Sequence, residues 1–488
     1  MSGSGRPAEP TVAQRLRDGL RWNVLATLAS QAIDLLRVMI VARLLAPEDF
    51  GIFAMAMVVL LAIIELGNFG LKDAFIALSQ ETDIDEDRWL HSVWTGNLGI
   101  QALIGGLLAA AAYPASLMYD EPVLFPMLLA LAVVPLLRAL KNPALMLLEK
   151  RIDFARVALF DLVVAIITLV ATTILAYLTR SPWALVIGSI LAAGLSSAAS
   201  YWLASMRPRL MFDWAPMKQS LVFGKYLMAM SVMSMLTTQM DNLFIGVQIG
   251  AAALGFYTIA YRICEMPKLL LTATASRTIY PYFAETLRNN PAQLSGAWLR
   301  SFNYITWLTI AAFLPIILCR DFVIFVLFGP QWSEAAALLV PLGILGILRC
   351  MNRSQNPLLL AVKKPELETI AKVVELLLFL PLIYAGYRIT GDALGVAWGA
   401  AATYVAGTAL RLIWSVRILR PGLASLLFES AKPAAAAGLM LAAATVAFSL
   451  QAHDMIVIVL LGAIWLSCLL VMEPLARQQL RLLARRRA

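Results

Sequence analysis

Charged residues are scarce in this chain of 488 residues. Asp, Glu, Lys and Arg together make up 14% of the sequence, whereas hydrophobic residues make up 61%. A soluble domain usually carries about 25% charged residues. Because so few polar side chains could not cover a water-exposed surface, the composition excludes a soluble globular protein. It predicts an integral membrane protein that crosses the bilayer many times.

Residues that bind metals or act as nucleophiles are also few. The sequence has two histidines, His91 and His453, and four cysteines with no CxxC pair. The cysteines lie in or beside apolar segments, at Cys264, Cys319, Cys350 and Cys468. The sequence contains no metal-ligand spacing, nucleophile elbow or phosphate-binding glycine loop. We therefore predict no catalytic residue, metal site or cofactor, and we expect the cysteines to be buried hydrophobic side chains.

Long apolar runs fill most of the chain. A membrane-spanning helix needs about 20 mostly apolar residues, and this rule predicts fourteen such helices. They lie near residues 22–44, 50–70, 91–113, 123–148, 157–178, 182–204, 220–248, 252–275, 301–318, 335–361, 370–388, 392–416, 433–450 and 455–472. No polar stretch of domain size separates them, so we expect no soluble domain.

The basic residues in the connections predict the orientation. If the amino terminus is cytoplasmic, 26 Lys and Arg residues fall on the cytoplasmic side and 4 on the opposite side. Because positive residues concentrate in cytoplasmic loops, both termini are predicted to be cytoplasmic. The net charge of +9, which is 39 − 30, therefore reflects topology and contact with anionic lipid rather than nucleic-acid binding.

A glycine-centred turn between two apolar runs occurs twice. It reads "RLLAPEDFGIFAMA" at 43–56 and "IGAAALGFYTIAYR" at 249–262. Asp34 precedes the first turn, Asp241 precedes the second, and an Asn-Pro pair follows each turn further along the chain. This order predicts two copies of a six-helix unit. Since six is even, both copies start on the same side of the membrane, and the repeat is parallel.

The predicted fold is therefore all-α, a polytopic membrane protein of about fourteen transmembrane helices. Two parallel six-helix repeats form an N-lobe and a C-lobe, followed by two extra helices, with the substrate site between the lobes. The predicted segments are a cytoplasmic N-terminal segment 1–21, the N-lobe 22–206, a cytoplasmic linker 207–219, the C-lobe 220–420, helices 13 and 14 within 421–473, and a basic cytoplasmic tail 474–488.

Charged side chains inside the apolar runs are the main functional signal. A charge at the bilayer centre costs at least about 2.5–3.5 kcal/mol, so such residues pair, reach the interface or line a wet cavity. The candidates for a cationic substrate cavity are Arg37, Arg138, Lys141, Lys225, Arg262, Lys268, Arg349 and Arg353. Asp34, Asp241 and Glu265 are candidates for gating or ion coupling. We expect Arg411 to snorkel to the interface and Glu375 to be interfacial.

Spacing alone leaves alternatives open. Arg37 follows Asp34 by three residues, so it could form an intrahelical pair, line a cavity, or pair with Asp241. Arg349 and Arg353 have no acidic residue within a helical turn. Such cations favour an anionic headgroup, because guanidinium groups bind pyrophosphate oxygens in pairs of hydrogen bonds. Side chains that could bind a sugar are Trp22, Gln239, Asn242, Tyr257, Tyr261, Asn352 and Gln355.

The chain resembles the polysaccharide transporters of the multidrug/oligosaccharidyl-lipid/polysaccharide (MOP) superfamily, and within it the Wzx-type flippases. The resemblance extends from about residue 15 to 420. It rests on "LLAPEDFGIFAMA", "ELGNFGLKDAFI", "FGKYLMAMSVMSMLTTQMDNLFIGVQIGAAALGFYTIAYRICEMPKLL" and "IYPYFAETLR", in this order. It implies two lobes in a V that alternate access, and a flippase that moves an undecaprenyl-pyrophosphate-linked saccharide to the outer leaflet of the bacterial cytoplasmic membrane. The implied partners are this lipid-linked oligosaccharide, membrane lipids and other polysaccharide-assembly proteins.

Two other functions remain as alternatives. A multidrug or cation exporter of the same superfamily would need an acidic and aromatic cavity, and the excess of Lys and Arg inside the apolar runs counts against it. A membrane enzyme of the polysaccharide pathway would need catalytic acids, bases or nucleophiles, usually on a sizeable external loop. The predicted external connections are short.

Overall fold

The computed structural model describes residues 12–78, 85–150, 154–203, 206–450 and 453–472. Within these ranges the regular structure is entirely helical, which confirms the all-α prediction. The helices are α1 Val12–Leu44, α2 Pro47–Leu66, α3 Leu71–Leu78, α4 Glu86–Met118, α5 Leu124–Leu131, α6 Val133–Ala139, α7 Ala144–Lys150, α8 Phe154–Thr179, α9 Trp183–Leu203, α10 Trp214–Gln248, α11 Ala251–Asn289, α12 Leu294–Leu318, α13 Arg320–Leu327, α14 Ala335–Ala361, α15 Pro365–Thr390, α16 Ala393–Leu419, α17 Leu423–Ser449 and α18 Asp454–Met472.

Eleven of the described segments are long and apolar enough to cross a membrane. This confirms a polytopic membrane protein. The other three predicted runs coincide with α1, with α11 and with the series of short helices α5–α7. The total of fourteen spans and the repeat layout stay predictions.

The predicted single helix over 123–148 is wrong, because the chain forms three short helices there. Asn142 explains the break before α7. Its side-chain Oδ1 accepts a hydrogen bond from the backbone N–H of Ala144 at 3.0 Å, and its Nδ2 donates to the carbonyl of Met206 at 2.8 Å. Its own N–H donates to the hydroxyl of Ser200 at 2.8 Å. The following proline has no N–H to continue a helix, so the chain turns at this point.

The chain divides into two compact units, Met1–Gly255 and Phe256–Ala488, and α11 crosses the boundary. In the first unit α1 packs on α8, α8 on α9, and α10 on both α2 and α4. The predicted C-lobe starts at residue 220, whereas the second compact unit starts at residue 256. The predicted lobes follow the sequence repeat and the two units follow the packing, so the lobe boundaries stay a prediction.

In the second unit α14 packs on α12 and α16, and α15 lies along α16. Helices α17 and α18 pack against α12 through the buried side chains of Met440, Val457 and Leu461 and that of Cys319 at the end of α12. All four cysteines are free and buried, as predicted. The two extra helices therefore share an apolar core with the rest of the unit.

The two glycine-centred turns contact each other within the first unit. A Cβ atom on Gly51 would overlap the carbonyl group of Ala251, and one on Gly255 would overlap the carbonyl group of Pro47. Only glycine, which has no Cβ, allows the two backbones to approach this closely. The contact is reciprocal, with each glycine facing the first residue of the other helix. This reciprocity supports the predicted equivalence of the two turns.

The predicted linker 207–219 lies along the start of α4. The backbone N–H of Arg209 donates to Nδ1 of His91 at 3.2 Å, and that of Asp213 donates to the hydroxyl of Ser92 at 3.1 Å. The carboxylate of Asp213 also pairs with Arg88 at 2.5 Å. His91 therefore has a structural role here, in anchoring the linker.

Candidate functional site

Arg37 forms the intrahelical pair that its spacing suggests. Its guanidinium Nη2 lies 2.5 Å from Oδ1 of Asp34 and its Nε lies 3.2 Å from the same oxygen. Both side chains are partly exposed. Asp241 is 1% exposed, and its carboxylate accepts a hydrogen bond from the backbone N–H of Asn242 at 2.9 Å. Among the described residues Arg37 thus forms an ion pair with Asp34, and its alternative pairing with Asp241 stays a prediction.

Arg349 on α14 is neutralised by a carboxylate from another helix. Its Nη1 lies 3.1 Å from Oε1 of Glu265 and donates to the hydroxyl of Tyr261, and both partners stand on α11. The guanidinium carbon lies 4.6 Å from the ring centre of Tyr404 on α16. The Arg349 side chain is 8% exposed. This arginine thus joins three helices of the second unit.

Arg411 and Glu375 are buried, so the expectation that the Arg411 side chain snorkels to the interface is wrong, whereas the interfacial depth of Glu375 stays a prediction. Nε and Nη2 of Arg411 each lie 2.8 Å from an oxygen of Glu368, and Nη1 contacts Glu375. Lys372 also contacts Glu375, at 3.0 Å. Gly407 leaves the space that the Glu375 carboxylate occupies. Because two carboxylates of α15 neutralise the guanidinium of α16, the charges are tolerated inside the protein.

Gln355, a predicted sugar-binding residue, is fully buried. Its side-chain oxygen accepts hydrogen bonds from Nε1 of Trp298 at 3.3 Å and from the hydroxyl of Ser415 at 2.7 Å. These contacts join α12, α14 and α16. Gln355 therefore has a role in helix packing.

Three predicted cavity cations lie at less buried positions. Arg138 on α6 and Lys225 on α10 are exposed, and Arg353 on α14 is half-buried. The ammonium group of Lys225 lies 4.9 Å from the ring centre of Tyr226. Within the described ranges, the ion pairs include neither Arg138 nor Arg353. These two arginines therefore stay candidates for binding an anion.

The remaining predicted cations have different surroundings. Lys141 is half-buried at the break between α6 and α7, where its carbonyl accepts a hydrogen bond from Trp94 at 3.1 Å. Arg262 is half-buried on α11. The side chain of Lys268 lies outside the described residues. The first unit contains Arg37, Arg138, Lys141 and Lys225, and the second unit contains Arg262, Arg349 and Arg353.

A polar groove between α2 and α10 was not predicted. It encloses about 180 Å³ and is lined by Leu61, Glu65, Asn68, Ser231, Ser234, Met235, Thr238 and Gln239. Asn68 donates from Nδ2 to Glu65 at 3.0 Å and to the hydroxyl of Ser231 at 3.1 Å. Of these residues only Gln239 was predicted from the sequence. The Ser and Thr spacing in "SVMSMLTTQ", which places polar residues on one face of a spanning helix, is the signal that could have found Ser231, Ser234 and Thr238.

Known proteins resemble this chain along most of its length. A family model described as polysaccharide biosynthesis protein matches residues 40–337, which is more than half of the chain. The lipopolysaccharide biosynthesis protein WzxC of Escherichia coli (strain K12) is 22% identical over 397 residues, covering 80% of this chain and 78% of WzxC.

Two solved structures share the fold. The lipid II flippase MurJ in an inward closed conformation superposes with a TM-score of 0.72 at 14% identity, covering 94% of this chain and 99% of MurJ. An inward-facing multidrug resistance MATE family transporter of the MOP superfamily gives a TM-score of 0.62 at 14% identity, covering 80% of this chain and 94% of that protein. The resemblance to polysaccharide transporters is thus confirmed, and the chain belongs to the polysaccharide biosynthesis protein family.

Proposed function

We propose that this protein is a flippase for a lipid-linked oligosaccharide. It moves an undecaprenyl-pyrophosphate-linked repeat unit, for an O-antigen or an exopolysaccharide, from the inner to the outer leaflet of the bacterial inner membrane. Both termini are cytoplasmic, and other polysaccharide-assembly proteins supply the substrate and receive the product. The protein transports its substrate and does not alter it chemically.

The observation that carries this proposal is that two arginines in apolar segments have no ion pair among the described residues. Arg138 lies on α6 in the apolar run 123–148 of the first unit, and Arg353 lies on α14, a candidate membrane span of the second unit. Guanidinium groups match the oxygens of a pyrophosphate in geometry and charge. A neutral or cationic cargo would have no use for such groups, whereas an anionic lipid headgroup would.

The paired cations suggest how substrate binding affects conformation. Arg37 and Arg349 each contact a carboxylate, Asp34 and Glu265, within hydrogen-bonding distance. A pyrophosphate that binds such an arginine competes with the carboxylate and weakens the existing contact. Asp34 and Glu265 thereby link occupancy to gating, and the buried Asp241 is the third candidate for this role. The membrane potential adds about 2.3 kcal/mol per charge per 100 mV to the outward movement of an anion.

The transporter cycle follows from the predicted parallel repeats. The headgroup enters from the cytoplasmic side while the prenyl chain stays in lipid, and rocking of the two lobes then exposes the headgroup on the other side.

A cation exporter is the second candidate, since a MATE transporter shares this fold. The unpaired arginines argue against it, because they would repel a cationic drug.

The test is the lipid content of a deletion strain. Without the protein, undecaprenyl-pyrophosphate-linked repeat units should accumulate in membrane extracts, and wild-type protein should clear them. The Arg138→Gln/Arg353→Gln double variant, present at wild-type abundance, should fail to clear them. A deletion strain with normal lipid-linked intermediates and raised sensitivity to cationic drugs would support the exporter.

A further inference from the structure

We propose that the groove between α2 and α10 binds one sugar ring of the transported oligosaccharide, through its hydroxyl or amino groups. This inference rests on the proposed function and adds a second subsite to it. Arginines bind the pyrophosphate, and the groove binds a sugar. All eight lining residues belong to the first unit.

Helix α10 presents a polar face at the groove. The helix is 35 residues long, and only 6% of the residues in its apolar 18-residue window are buried inside the protein. Ser231, Ser234, Thr238 and Gln239 share one face of this helix, because they are spaced by three, four, seven and eight residues. Polar groups in hydrocarbon are costly when they lack hydrogen-bond partners. A spanning helix with this face is therefore suited to a wet groove with a polar ligand.

The groove offers acceptors and donors together. The hydroxyl of Thr238 donates to the carbonyl of Ser234 at 2.9 Å, which leaves its oxygen lone pairs for an incoming donor. Glu65 has two carboxylate oxygens, and Asn68 contacts only one of them, Oε2. The side-chain oxygen of Gln239 accepts a hydrogen bond from Nδ2 of Asn242 at 2.8 Å, and the amide nitrogen of Gln239 is a further donor. This mixture suits hydroxyl groups, which both donate and accept.

The remaining lining and the size fit a pyranose. Leu61 and Met235 supply an apolar surface for the C–H face of a ring. The groove has a volume of about 180 Å³ and is partly open, so one sugar ring can contact its lining while neighbouring rings extend beyond it. A lipid chain would not use the carboxylate and hydroxyl groups. One sugar residue matches the chemistry of the groove.

The charge of the groove distinguishes it from the pyrophosphate subsite. Glu65 is the only ionisable residue among the lining side chains. A carboxylate attracts hydroxyl donors and amino groups but repels phosphates and uronic acids. The groove is therefore specific for a neutral or amino sugar.

The experiment measures binding to the purified full-length protein by native mass spectrometry. The two probes are undecaprenyl pyrophosphate without sugar and the undecaprenyl-pyrophosphate-linked repeat unit extracted from a deletion strain. The groove variants are Glu65→Gln and Thr238→Val. The matched control is Thr237→Val, since Thr237 is adjacent on α10, bonds to the same carbonyl of Ser234 at 2.9 Å and does not line the groove.

Each groove variant should weaken binding of the glycosylated lipid about fivefold to tenfold, as expected for one or two lost hydrogen bonds, and leave the sugar-free lipid unchanged. The control should bind both probes as wild type does. Equal binding of the glycosylated lipid by wild type and both groove variants overturns the subsite alone, and so does an equal loss for both probes. Wild-type protein that binds neither lipid contradicts the proposed function and the subsite with it.

Discussion

Two polar regions of the molecule, one in each unit, use their side chains in different ways. In the second unit, Arg349 and Arg411 are almost completely buried and contact carboxylates from neighbouring helices. In the first unit, the groove between α2 and α10 is open and mostly uncharged, and Arg138 is exposed. A charge inside a membrane helix is therefore not by itself a sign of a substrate site. What distinguishes the two cases is whether the protein already supplies the partner.

The largest expected effect is on the stability of the second unit. Arg411→Leu would leave Glu368 and Glu375 without their common cation, and Glu375 is 3% exposed. Removing one partner of a buried ion pair costs about 3–5 kcal/mol. Denaturant unfolding in detergent micelles should show a loss of this size in the free energy of unfolding. Arg353→Gln, on a half-buried arginine without an ion pair in the described ranges, is the control and should change it by less than about 0.5 kcal/mol. Equal stability of Arg411→Leu and wild type would show that the pair is not structural.

The second prediction concerns the close packing in the first unit. Gly255→Val would force the backbone away from the carbonyl of Pro47, and overpacking of this kind costs about 1–3 kcal/mol. Gly106→Ala is the control, because no atom lies within 4 Å of the Cβ that it adds. Thermal unfolding of the two variants should separate them clearly. If they unfold at the same temperature, the contact between the two turns is not a tight one.

The third prediction concerns the ion pair of Arg349 and Glu265. Arg349→Gln should lower the free energy of unfolding by about 1–3 kcal/mol, because Glu265 loses its charged hydrogen-bond partner. The double variant Arg349→Gln/Glu265→Gln should recover part of this loss. Unfolding of both single variants and the double variant gives the coupling energy. A coupling energy of zero would mean that Arg349 and Glu265 act independently.

The smallest expected effect on stability is at Arg138 and Arg353. Arg138→Gln/Arg353→Gln should leave the free energy of unfolding within about 0.5 kcal/mol of wild type, since neither side chain has an ion-pair partner in the described ranges. Export should nevertheless fall strongly, which the amount of surface polysaccharide would show. A large loss of stability would place these arginines with the structural charges of the second unit.

The membrane-protein class and most helices could be predicted from hydropathy, because spanning length and composition depend on local sequence. Breaks could not. Asn-Pro occurs at 142–143 and at 356–357, yet the chain breaks only at the first, while α14 continues through the second. The difference lies in Ser200 and Met206, which bind Asn142 from a distant part of the chain. No local pattern contains that information.

The candidate site could be predicted only in part, again because some of its contacts join residues that are distant in sequence. The pair of Asp34 and Arg37 follows from helical spacing. The partners of Arg349 and Arg411 do not, because they lie 84, 43 and 36 residues away in sequence. The charged residues could therefore be identified from the sequence, but the ones that form ion pairs between helices could not. The groove could not be predicted either, since Glu65 on α2 and Asn68 just after α2 are far in sequence from Thr238 on α10.

The most direct test of the central claim, that Arg138 and Arg353 serve transport, is lipid flipping in proteoliposomes. The measurement is the rate at which a labelled undecaprenyl-pyrophosphate-linked oligosaccharide crosses the bilayer, at equal amounts of folded protein. Wild-type protein should raise this rate well above that of protein-free liposomes, and Arg138→Gln/Arg353→Gln should lower it at least about tenfold while remaining folded. A wild-type rate equal to that of protein-free liposomes, or a double variant as fast as wild type, would contradict the account.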